Sequence, residues 1–339
     1  MSGVLAVIPC LDEADHLDAL LAQMLADTTI DRLVVADGGS TDGSRAIVAR
    51  RAAQDGRLHL LDNPERIQSA GVNRAVAVHV SGFEWLLRID AHCLYPDGYA
   101  RKLLEAARRE GASSVVVPMV TVGQGGFQDA AAAAQNSVIG TGGSAHRHLT
   151  GGRFVEHGHH ALIRLELFRA VGGYCEAMPC NEDAEIDHRM IQAGGRIWLE
   201  PAGALTYFPR STPRALWRQY FRYGVGRARN MRRHRMRPRL RQLVPLAVPA
   251  ALALLPLALL HPIFALPALA WGALILTAGV VVGLKAGGGW AMLSGVAAGV
   301  MQASWGFGFL RELLLADGKD TPRHGFDADG APVSRPATR

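Results

Sequence analysis

An aspartate and a histidine stand two positions apart in the segment RIDAH, where Asp90 and His92 follow an apolar run. In an extended chain, residues i and i+2 lie on the same side, so both side chains can reach one ion. A carboxylate and an imidazole suit Mg²⁺ or Mn²⁺, and the imidazole favours Mn²⁺. Such an ion would neutralise charge on a departing nucleoside diphosphate. The alternative interpretation is an aspartate that is only hydrogen-bonded at the end of a strand.

Acidic residues also follow two earlier apolar runs. The segment PCLDE places Glu13 after the first run. The segment VVADGGSTDGS ends the second run with Asp37 and adds glycines, which let a backbone approach a ligand closely. Neither the G-x-G-x-x-G fingerprint nor a P-loop is present there. A nucleotide whose base and ribose are held by carboxylates fits this pattern, and an ordinary strand-to-helix turn is the alternative.

Two carboxylates, Glu182 and Asp183, open a predicted helix directly after Asn181, which is a suitable N-cap residue. The positive end of the helix dipole favours their ionised forms. An ionised Asp183 would be available as a general base at neutral pH. Alternatively, the two acids only satisfy the helix dipole.

Histidines and cysteines lie close together later in the chain. The segment HGHH at 157–160 is near Cys175 and Cys180, which raises the question of a zinc site. The spacing matches no standard pair of zinc ligands. We therefore interpret the cysteines as reduced loop thiols of a cytoplasmic domain.

The elements that position these residues follow from short apolar runs that alternate with helical patterns. The runs are rich in Val, Leu and Ile, which predicts an α/β fold with a mostly parallel sheet and helices on both faces. Ligands bind such sheets beyond the carboxyl ends of the strands, where the acidic segments fall. Residues 154–163 are predicted to form one strand, and the Gly- and Ala-rich residues 121–152 a flexible connection or substrate loop.

Positive charge is concentrated in one segment. Residues 207–242 contain twelve arginines and no acidic residue. Arg214, Arg218 and Arg222 recur at four-residue spacing among aromatic residues, which predicts an interfacial helix on anionic membrane lipid. Nucleic-acid binding is the competing interpretation of an arginine-rich segment, and the adjoining apolar runs argue against it.

Three runs that are almost free of charge follow, at 243–260, 262–284 and 286–310. A helix needs about 20 apolar residues to cross a bilayer. The second and third runs are long enough, whereas prolines interrupt the first. We therefore predict two to three transmembrane helices, with an apolar soluble helical domain as the alternative.

These patterns predict four regions. Residues 1–208 would form the catalytic domain, 209–242 the interfacial helices, 243–311 the membrane region and 312–339 a flexible polar tail. The apolar start at 4–8 is too short for a signal peptide, and positively charged loops stay inside. We expect a bacterial inner-membrane protein whose catalytic domain lies in the cytoplasm.

Five motifs occur in a fixed order, namely VIPCLDE, VVADGGSTDGS, RIDAH, NEDAEIDHRM and QYFRY. Together they resemble the family 2 glycosyltransferases, whose nucleotide-sugar-binding domain is of the GT-A type. The resemblance covers about residues 3–225. It implies a UDP-sugar donor, a Mn²⁺ or Mg²⁺ cofactor and an α/β catalytic domain.

On the donor side, the resemblance implies that Asp37 reads uracil and that Pro9 and Glu13 pack on the uridine. It also places Asn73 beside the nucleotide. Asp90 would contact the nucleotide sugar as well as the metal ion.

On the catalytic and acceptor side, Asp90 and His92 fall on the family's Asp-x-Asp metal motif. Asp183 matches the catalytic base. The resemblance further implies a set of residues on the acceptor and diphosphate side, namely Glu182, Gln219, Arg222 and Tyr223.

The sequence departs from the family pattern at two positions. His92 replaces the second aspartate of the metal motif, and Tyr223 replaces the tryptophan of a motif of processive synthases. The implied reaction is therefore an inverting transfer of one sugar, glucose from UDP-glucose, in β-linkage. The acceptor would be an undecaprenyl-diphosphate-linked saccharide of exopolysaccharide biosynthesis.

Other function classes compete with this one. A polyprenyl phosphate without a prior sugar is an alternative acceptor. A membrane-bound sugar nucleotidyltransferase would need a glycine-rich, basic loop after the first strand, where this chain has PCLDEADH. A non-catalytic nucleotide-binding protein would not need the pair Glu182 and Asp183.

Overall fold

The structure is a computed structural model that describes residues 3–79, 81–143, 151–178, 180–238, 240–315 and 322–333. The chain divides into two compact units. Unit 1 comprises Met1–Met119, Leu149–Leu205 and Thr321–Arg339, and unit 2 comprises Val120–His148 and Thr206–Asp320. Each unit is described by itself.

The strands are short and mostly buried. They are β1 (Val4–Cys10), β2 (Arg32–Asp37), β3 (Leu58–Asp62), β4 (Trp85–Arg88), β5 (Cys93–Leu94), β6 (Ser114–Val117), β7 (Met119–Thr121), β8 (Arg153–Val155), β9 (His159–Arg164), β10 (Ile197–Leu199) and β11 (Leu205–Tyr207).

Eight strands of unit 1 form one sheet in the order β3-β2-β1-β4-β9-β6-β10-β8. Strands β1 to β4 pair in parallel, as do β6 and β10. Strand β9 is antiparallel to β4 and β6, and β8 is antiparallel to β10. The predicted α/β fold with a mainly parallel sheet is confirmed. Because β1 lies between β2 and β4, the segments that follow these three strands meet at one edge of the sheet.

In the described part of the chain, eight α-helices lie between the strands. They are α1 (Ala14–Ala26), α2 (Ser44–Ala52), α3 (Gln68–Val78), α4 (Tyr99–Glu110), α5 (Phe127–Gln135), α6 (Val138–Thr141), α7 (Leu165–Ala170) and α8 (Glu182–Gln192).

Helical structure continues through the last part of unit 2. Its α-helices are α9 (Pro213–Arg233), α10 (Leu240–Ala253), α11 (Leu266–Lys285) and α12 (Ser294–Leu315). Glycines bring α9 and α12 close together, since a Cβ at Gly224 would collide with the Trp305 carbonyl and a Cβ at Gly308 with the Phe221 carbonyl. The C-terminal part of α12 carries Glu312, which is 5% exposed and binds two arginines of α9.

Two local predictions about secondary structure are wrong. The Gly- and Ala-rich residues 121–152 are not a flexible loop throughout, because α5 and α6 form within them, and residues 144–150 lie outside the described residues. Alanines on α5 are buried in an apolar cluster with residues of α9, α11 and α12. The predicted strand at 154–163 is two strands, β8 and β9, because the chain leaves the extended ladder at 156–158.

Two helical stretches among the described residues are long and apolar enough to cross a bilayer, Gln242–Leu259 and Pro262–Lys285. The described part of the chain therefore contains two possible spans, by length and apolar composition. The third run, at 286–310, is not a candidate span; most of it lies in α12, where eleven of the helix's 22 residues are buried.

The polar tail also differs from its prediction. Residues 322–333 do not form a flexible segment, because they belong to unit 1 and make backbone bridges. His324 pairs with Cys175, and the Phe326 ring is 3% exposed and packs 6.0 Å from the Phe168 ring. Tail residues 316–321 and 334–339 lie outside the described residues.

Candidate active site

A buried arginine organises the acidic residues of unit 1. Arg88 is the last residue of β4 and is 4% exposed. Its Nη1 lies 2.5 Å from Asp183 Oδ1 and 3.1 Å from Glu182 Oε1, and its Nε lies 3.3 Å from Asp90 Oδ1. Its Nη2 donates to Gln68 Oε1 at 2.7 Å. Burial alone lowers the pKa of the Arg88 guanidinium, but the carboxylates outweigh burial and raise it well above its ordinary value.

Asp183 receives bonds on both carboxylate oxygens. Its Oδ1 accepts from Arg88 and from the Tyr174 hydroxyl at 3.1 Å, and its Oδ2 lies 2.9 Å from His159 Nδ1. Burial alone raises the pKa of Asp183, but Arg88 and His159 outweigh burial and lower it below its ordinary value. Asp183 is therefore ionised at neutral pH, as the sequence predicts.

The neighbouring Glu182 behaves differently. Burial, together with the charge of Asp183, raises the pKa of Glu182 against the opposing effect of Arg88. The helix dipole was expected to favour ionisation of both acids. In the fold, the environment of each carboxylate separates their pKa values. Asn181 occupies the N-cap position of α8 as predicted, but its backbone is left-handed (φ 59°) and its side chain makes no capping hydrogen bond to the helix.

The metal-motif residues lie beside the first loop. His92 Nδ1 is 3.1 Å from Glu13 Oε1, which brings together the segments that follow β4 and β1. The hydroxyl of the buried Tyr95 accepts from the Asp90 backbone N–H at 2.7 Å and donates to the Asp90 carbonyl at 3.2 Å, which holds this turn. The predicted residues Glu13, Asp90 and His92 are thus close in space.

Asp37 is 1% exposed at the end of β2. Its Oδ2 accepts from the backbone N–H groups of Gly39 at 3.0 Å and Ser40 at 3.1 Å, and from Arg45 Nη1 at 2.7 Å. Burial raises the pKa of Asp37, but the bonds from Ser40, Arg45 and the backbone outweigh burial and lower it. Pro9 is buried in β1, and its uridine contact and the uracil contact of Asp37 stay predictions.

Asn73 is buried among protein contacts, and its place beside a nucleotide stays a prediction. It is 1% exposed, and its Nδ2 donates to the Tyr174 carbonyl at 2.8 Å and to Glu176 Oε1 at 2.9 Å. Its Oδ1 accepts from the Tyr174 N–H at 2.9 Å. The amide therefore holds the chain segment before α8, which is a structural role.

The remaining predicted residues lie on α9 of unit 2. Gln219 Nε2 donates to the hydroxyls of Tyr207 at 2.9 Å and Tyr223 at 3.1 Å. Arg222 lies on the same helix. Their acceptor-side role stays a prediction.

The model of the glycosyl transferase family 2 matches residues 5–172. The succinoglycan biosynthesis protein ExoA of Rhizobium meliloti (strain 1021) is 50% identical to the chain over 313 residues, which are 91% of this chain and 94% of that protein. The chain belongs to glycosyl transferase family 2. The predicted resemblance to this family is confirmed.

The fold of this glycosyltransferase also has a solved counterpart. The mannosyltransferase PcManGT from Pyrobaculum calidifontis, in complex with GDP-Man and Mn²⁺, has a TM-score of 0.61 and 18% sequence identity. The match covers 92% of this chain and 87% of that one. At this identity the likeness shows the shared GT-A-like fold.

Sequence reasoning about this glycosyltransferase missed three residues of the site, namely Arg88, His159 and Tyr174. Arg88 was visible in RIDAH as a charge on an otherwise apolar strand, which signals a buried partner. His159 was visible in HGHH, where His157 and His159 have the period of an extended chain. Tyr174 has no comparable sequence signal.

Proposed function

We propose that the chain is a membrane-anchored inverting glycosyltransferase that transfers glucose from UDP-glucose, in β-linkage, to an undecaprenyl-diphosphate-linked saccharide. The supporting observation is the cluster that Arg88 forms with Asp90, Glu182 and Asp183 at the carboxyl end of β4 in a family 2 chain. The 50% identity to a succinoglycan biosynthesis protein supports a role in exopolysaccharide biosynthesis.

The donor would be held at the edge where β1, β2 and β4 end. Asp37 is ionised and fixed by backbone N–H groups, so its position is set before any ligand binds. We assign uracil recognition to Asp37 and uridine contacts to Pro9 and Glu13. Asn73 would support this region through Tyr174 without touching the nucleotide.

A divalent cation, Mn²⁺ or Mg²⁺, fits the donor set of Asp90 and His92. Glu13 accepts at His92 Nδ1, which puts the proton of the neutral ring on Nδ1 and the lone pair on Nε2. Metal-binding histidines commonly make such a bond to a carboxylate. Among the described residues no three His, Cys, Asp or Glu side chains are grouped to hold a metal ion, so phosphates and water would complete the site, as is usual for Mg²⁺. The bound ion would neutralise the departing diphosphate.

The reaction itself needs a proton acceptor for the attacking hydroxyl. Asp183 is ionised and lies in the cluster with Arg88, and we assign it the role of the general base that takes the proton of the acceptor hydroxyl. The attacking oxygen displaces UDP in one step, so an α-linked donor gives a β-glycoside. General-base assistance contributes about 10²–10⁴-fold to the rate. We assign Glu182, Gln219, Arg222 and Tyr223 to the acceptor and diphosphate side.

Membrane anchoring is supported by exposed apolar side chains in unit 2. Leu259 is 93% exposed, Leu260 80% and Leu274 71%, all within or between the two candidate spans. An apolar surface of this extent is unfavourable in water and favourable in lipid. The arginines of α9 suit an anionic lipid surface on the cytoplasmic side of a bacterial inner membrane.

The test is transfer of labelled glucose from UDP-glucose to a lipid-linked saccharide fraction with Mn²⁺, using the full chain in detergent. Wild type should incorporate label, and Asp183→Asn should bind UDP but lose transfer by about 10²-fold or more. Glu166→Gln is a matched control, because Glu166 is an exposed acid in the first turn of another unit 1 helix. It should keep wild-type transfer.

Three results would contradict parts of the proposal. Retained transfer by Asp183→Asn removes Asp183 from the mechanism. UDP binding without transfer by wild type rejects glucose or this acceptor, and label on a polyprenyl phosphate instead selects the alternative acceptor. Absence of UDP binding by wild type rejects the donor class altogether.

A further inference from the structure

The described part of the C-terminal tail is a small folded element. We call residues 322–333 the tail strap, and they belong to unit 1. A backbone bridge joins Phe326 to Pro332. The Asp327 N–H donates to the Ala331 carbonyl at 2.9 Å, and the Ala331 N–H donates to Asp327 Oδ1 at 2.8 Å. The turn of the tail strap is therefore closed by its own residues, as is common for an aspartate that bonds to nearby backbone.

Backbone hydrogen bonds attach the tail strap to the chain segment that follows α7. The N–H groups of Gly325 and Phe326 both donate to the Gly172 carbonyl, at 3.0 and 3.2 Å. The Glu176 N–H donates to the Arg323 carbonyl at 2.7 Å. The tail strap thus holds this segment at two separate points.

Close packing adds to these bonds. Phe326 is 3% exposed, and its ring lies 6.0 Å from the Phe168 ring. A Cβ at Gly173, where φ is +67°, would lie 2.8 Å from the Phe326 ring. A Cβ at Gly325 would lie 2.5 Å from Asn73 Cγ. Glycines on both sides of the contact therefore allow the tail strap to approach this closely.

The segment that the tail strap holds carries Tyr174, which binds Asp183. Tyr174 is 1% exposed, and its hydroxyl donates to Asp183 Oδ1 at 3.1 Å. Burial raises the pKa of this phenol well above its ordinary value, so the hydroxyl keeps its proton and remains a donor. Gly172 and Glu176, which the tail strap binds, lie two residues before and two residues after Tyr174. The backbone is therefore fixed on both sides of a residue that orients Asp183.

The contacts of the tail strap converge on Tyr174. Asn73, which packs against Gly325, donates to the Tyr174 carbonyl at 2.8 Å and accepts from its N–H at 2.9 Å. Gly173, which packs against Phe326, is the residue before Tyr174. A tail that only covered apolar surface would stabilise unit 1 wherever it packed. Convergence on one residue of the site favours a positioning role.

We propose that the tail strap is a positioning element for Asp183 and that it acts through Tyr174. With the strap docked, the Tyr174 hydroxyl holds the carboxylate in the orientation that receives the acceptor proton. With the strap released, the segment around Tyr174 moves, and Asp183 loses this bond while it keeps that of Arg88. The inference rests on the proposed function, in which Asp183 is the general base.

The test is Phe326→Ala in the full chain in detergent, because this change removes the anchoring ring of the tail strap. In the transfer assay with UDP-glucose and the lipid-linked fraction, kcat should fall by about 10–100-fold, the factor for one hydrogen bond to a charged group. The KM for UDP-glucose should not change. Val333→Ala is the matched control, since Val333 is an apolar strap residue that is 45% exposed, and it should keep wild-type kcat.

A double-variant cycle separates positioning from a general loss of stability. Tyr174→Phe removes only the hydroxyl, and it should lower kcat by a similar factor. Phe326→Ala should have little further effect in the Tyr174→Phe background, because the bond through which the strap acts is already lost. Amide exchange in Phe326→Ala should be faster in the strap and in residues 171–178, with β1 and β2 unchanged.

Gly325→Ala perturbs the same contact without removing buried apolar surface. The φ of Gly325 is not positive, so alanine fits its backbone, and the added Cβ would collide with Asn73. This variant decides the question if Phe326→Ala fails to bind UDP. It should show the same loss of kcat, and little further loss in the Tyr174→Phe background.

The outcomes separate this inference from the proposed function. Wild type without transfer would refute the proposed function and this inference with it. If wild type transfers glucose, wild-type kcat in both strap variants would refute the positioning role alone. Losses that multiply in the double variant would refute it as well, since the tail strap would then act independently of Tyr174.

Discussion

Arg88 provides the most demanding test of how the site is held together. Arg88→Gln removes one buried positive charge and keeps most of the side-chain volume. Three carboxylates lose their common cation, those of Asp90, Glu182 and Asp183. We expect a large loss of stability in unit 1, because the carboxylates remain buried without compensation.

The size of this loss follows from the geometry. The Arg88 side chain is 5% exposed and those of Glu182 and Asp183 are each 12% exposed, so water screens the cluster weakly. Removing one partner of a buried ion pair costs about 3–5 kcal/mol. A free-energy difference of about 1.4 kcal/mol changes an equilibrium constant tenfold. The equilibrium constant for local unfolding around this cluster should therefore rise by roughly 10²–10⁴-fold.

The loss should depend on pH with a definite sign. In wild type the pKa of Asp183 is lowered, so its contribution to stability is present above its ordinary pKa and is lost as the pH falls. In Arg88→Gln burial and mutual repulsion should raise the pKa of the same group, which reverses the dependence. The difference in the free energy of unfolding between the two proteins should therefore be largest near neutral pH and shrink below about pH 4.

Amide hydrogen exchange of the full chain in detergent measures this effect locally. Backbone amides in peptides from β4 and α8 should exchange roughly 10²–10⁴-fold faster in Arg88→Gln than in wild type. Arg101→Gln is the control, because Arg101 and Glu105 form a pair with both side chains 57% exposed, and such pairs contribute less than about 1 kcal/mol. Equal exchange in the two variants, or a difference that grows on acidification, would refute the reasoning.

Two further predictions concern buried polar groups away from the reacting atoms. Asn73→Ala should destabilise unit 1 by about 1–3 kcal/mol for each buried partner left unpaired, and chains that remain folded should still bind UDP. Faster amide exchange around Tyr174 would support this prediction. Loss of UDP binding at unchanged stability would contradict it. Glu312→Ala should weaken unit 2 by about 1.5–3 kcal/mol, because Arg229 and Arg232 lose their shared carboxylate. Amide exchange in α9 and α12 measures this loss of stability, which should be smaller in Glu312→Gln. Equal exchange in wild type and Glu312→Ala would show that the contacts of Glu312 with the two arginines do not stabilise unit 2.

Local sequence patterns were sufficient for the sheet and for one edge of it. Continuous apolar runs make β1, β2 and β4 buried strands, and parallel strands end at the same edge. The segments that carry Glu13 and His92 were therefore expected at one edge of the sheet, and the pairing of β1 with β4 places them side by side. The resemblance of five ordered motifs then implied a nucleotide-sugar enzyme of family 2.

Patterns failed where packing between distant segments decides the structure. Residues 127–135 show alanine without apolar periodicity, which is compatible with a loop, and they become α5 because unit 2 buries those alanines. Asn73 lies on α3. The face that it occupies depends on Tyr174, about a hundred residues later in the chain, to which it binds.

The sequence by itself determined which groups are available and the strand end or helix start at which each one lies. Only the tertiary structure decided which groups meet, since Arg88 and Asp183 are 95 positions apart. Their contact, with His159 on the other side, lowers the pKa of Asp183, while burial raises that of the adjacent Glu182. The physical reason is that a pKa depends on burial and on charges within a few ångströms, and neighbours at that distance are set by the fold.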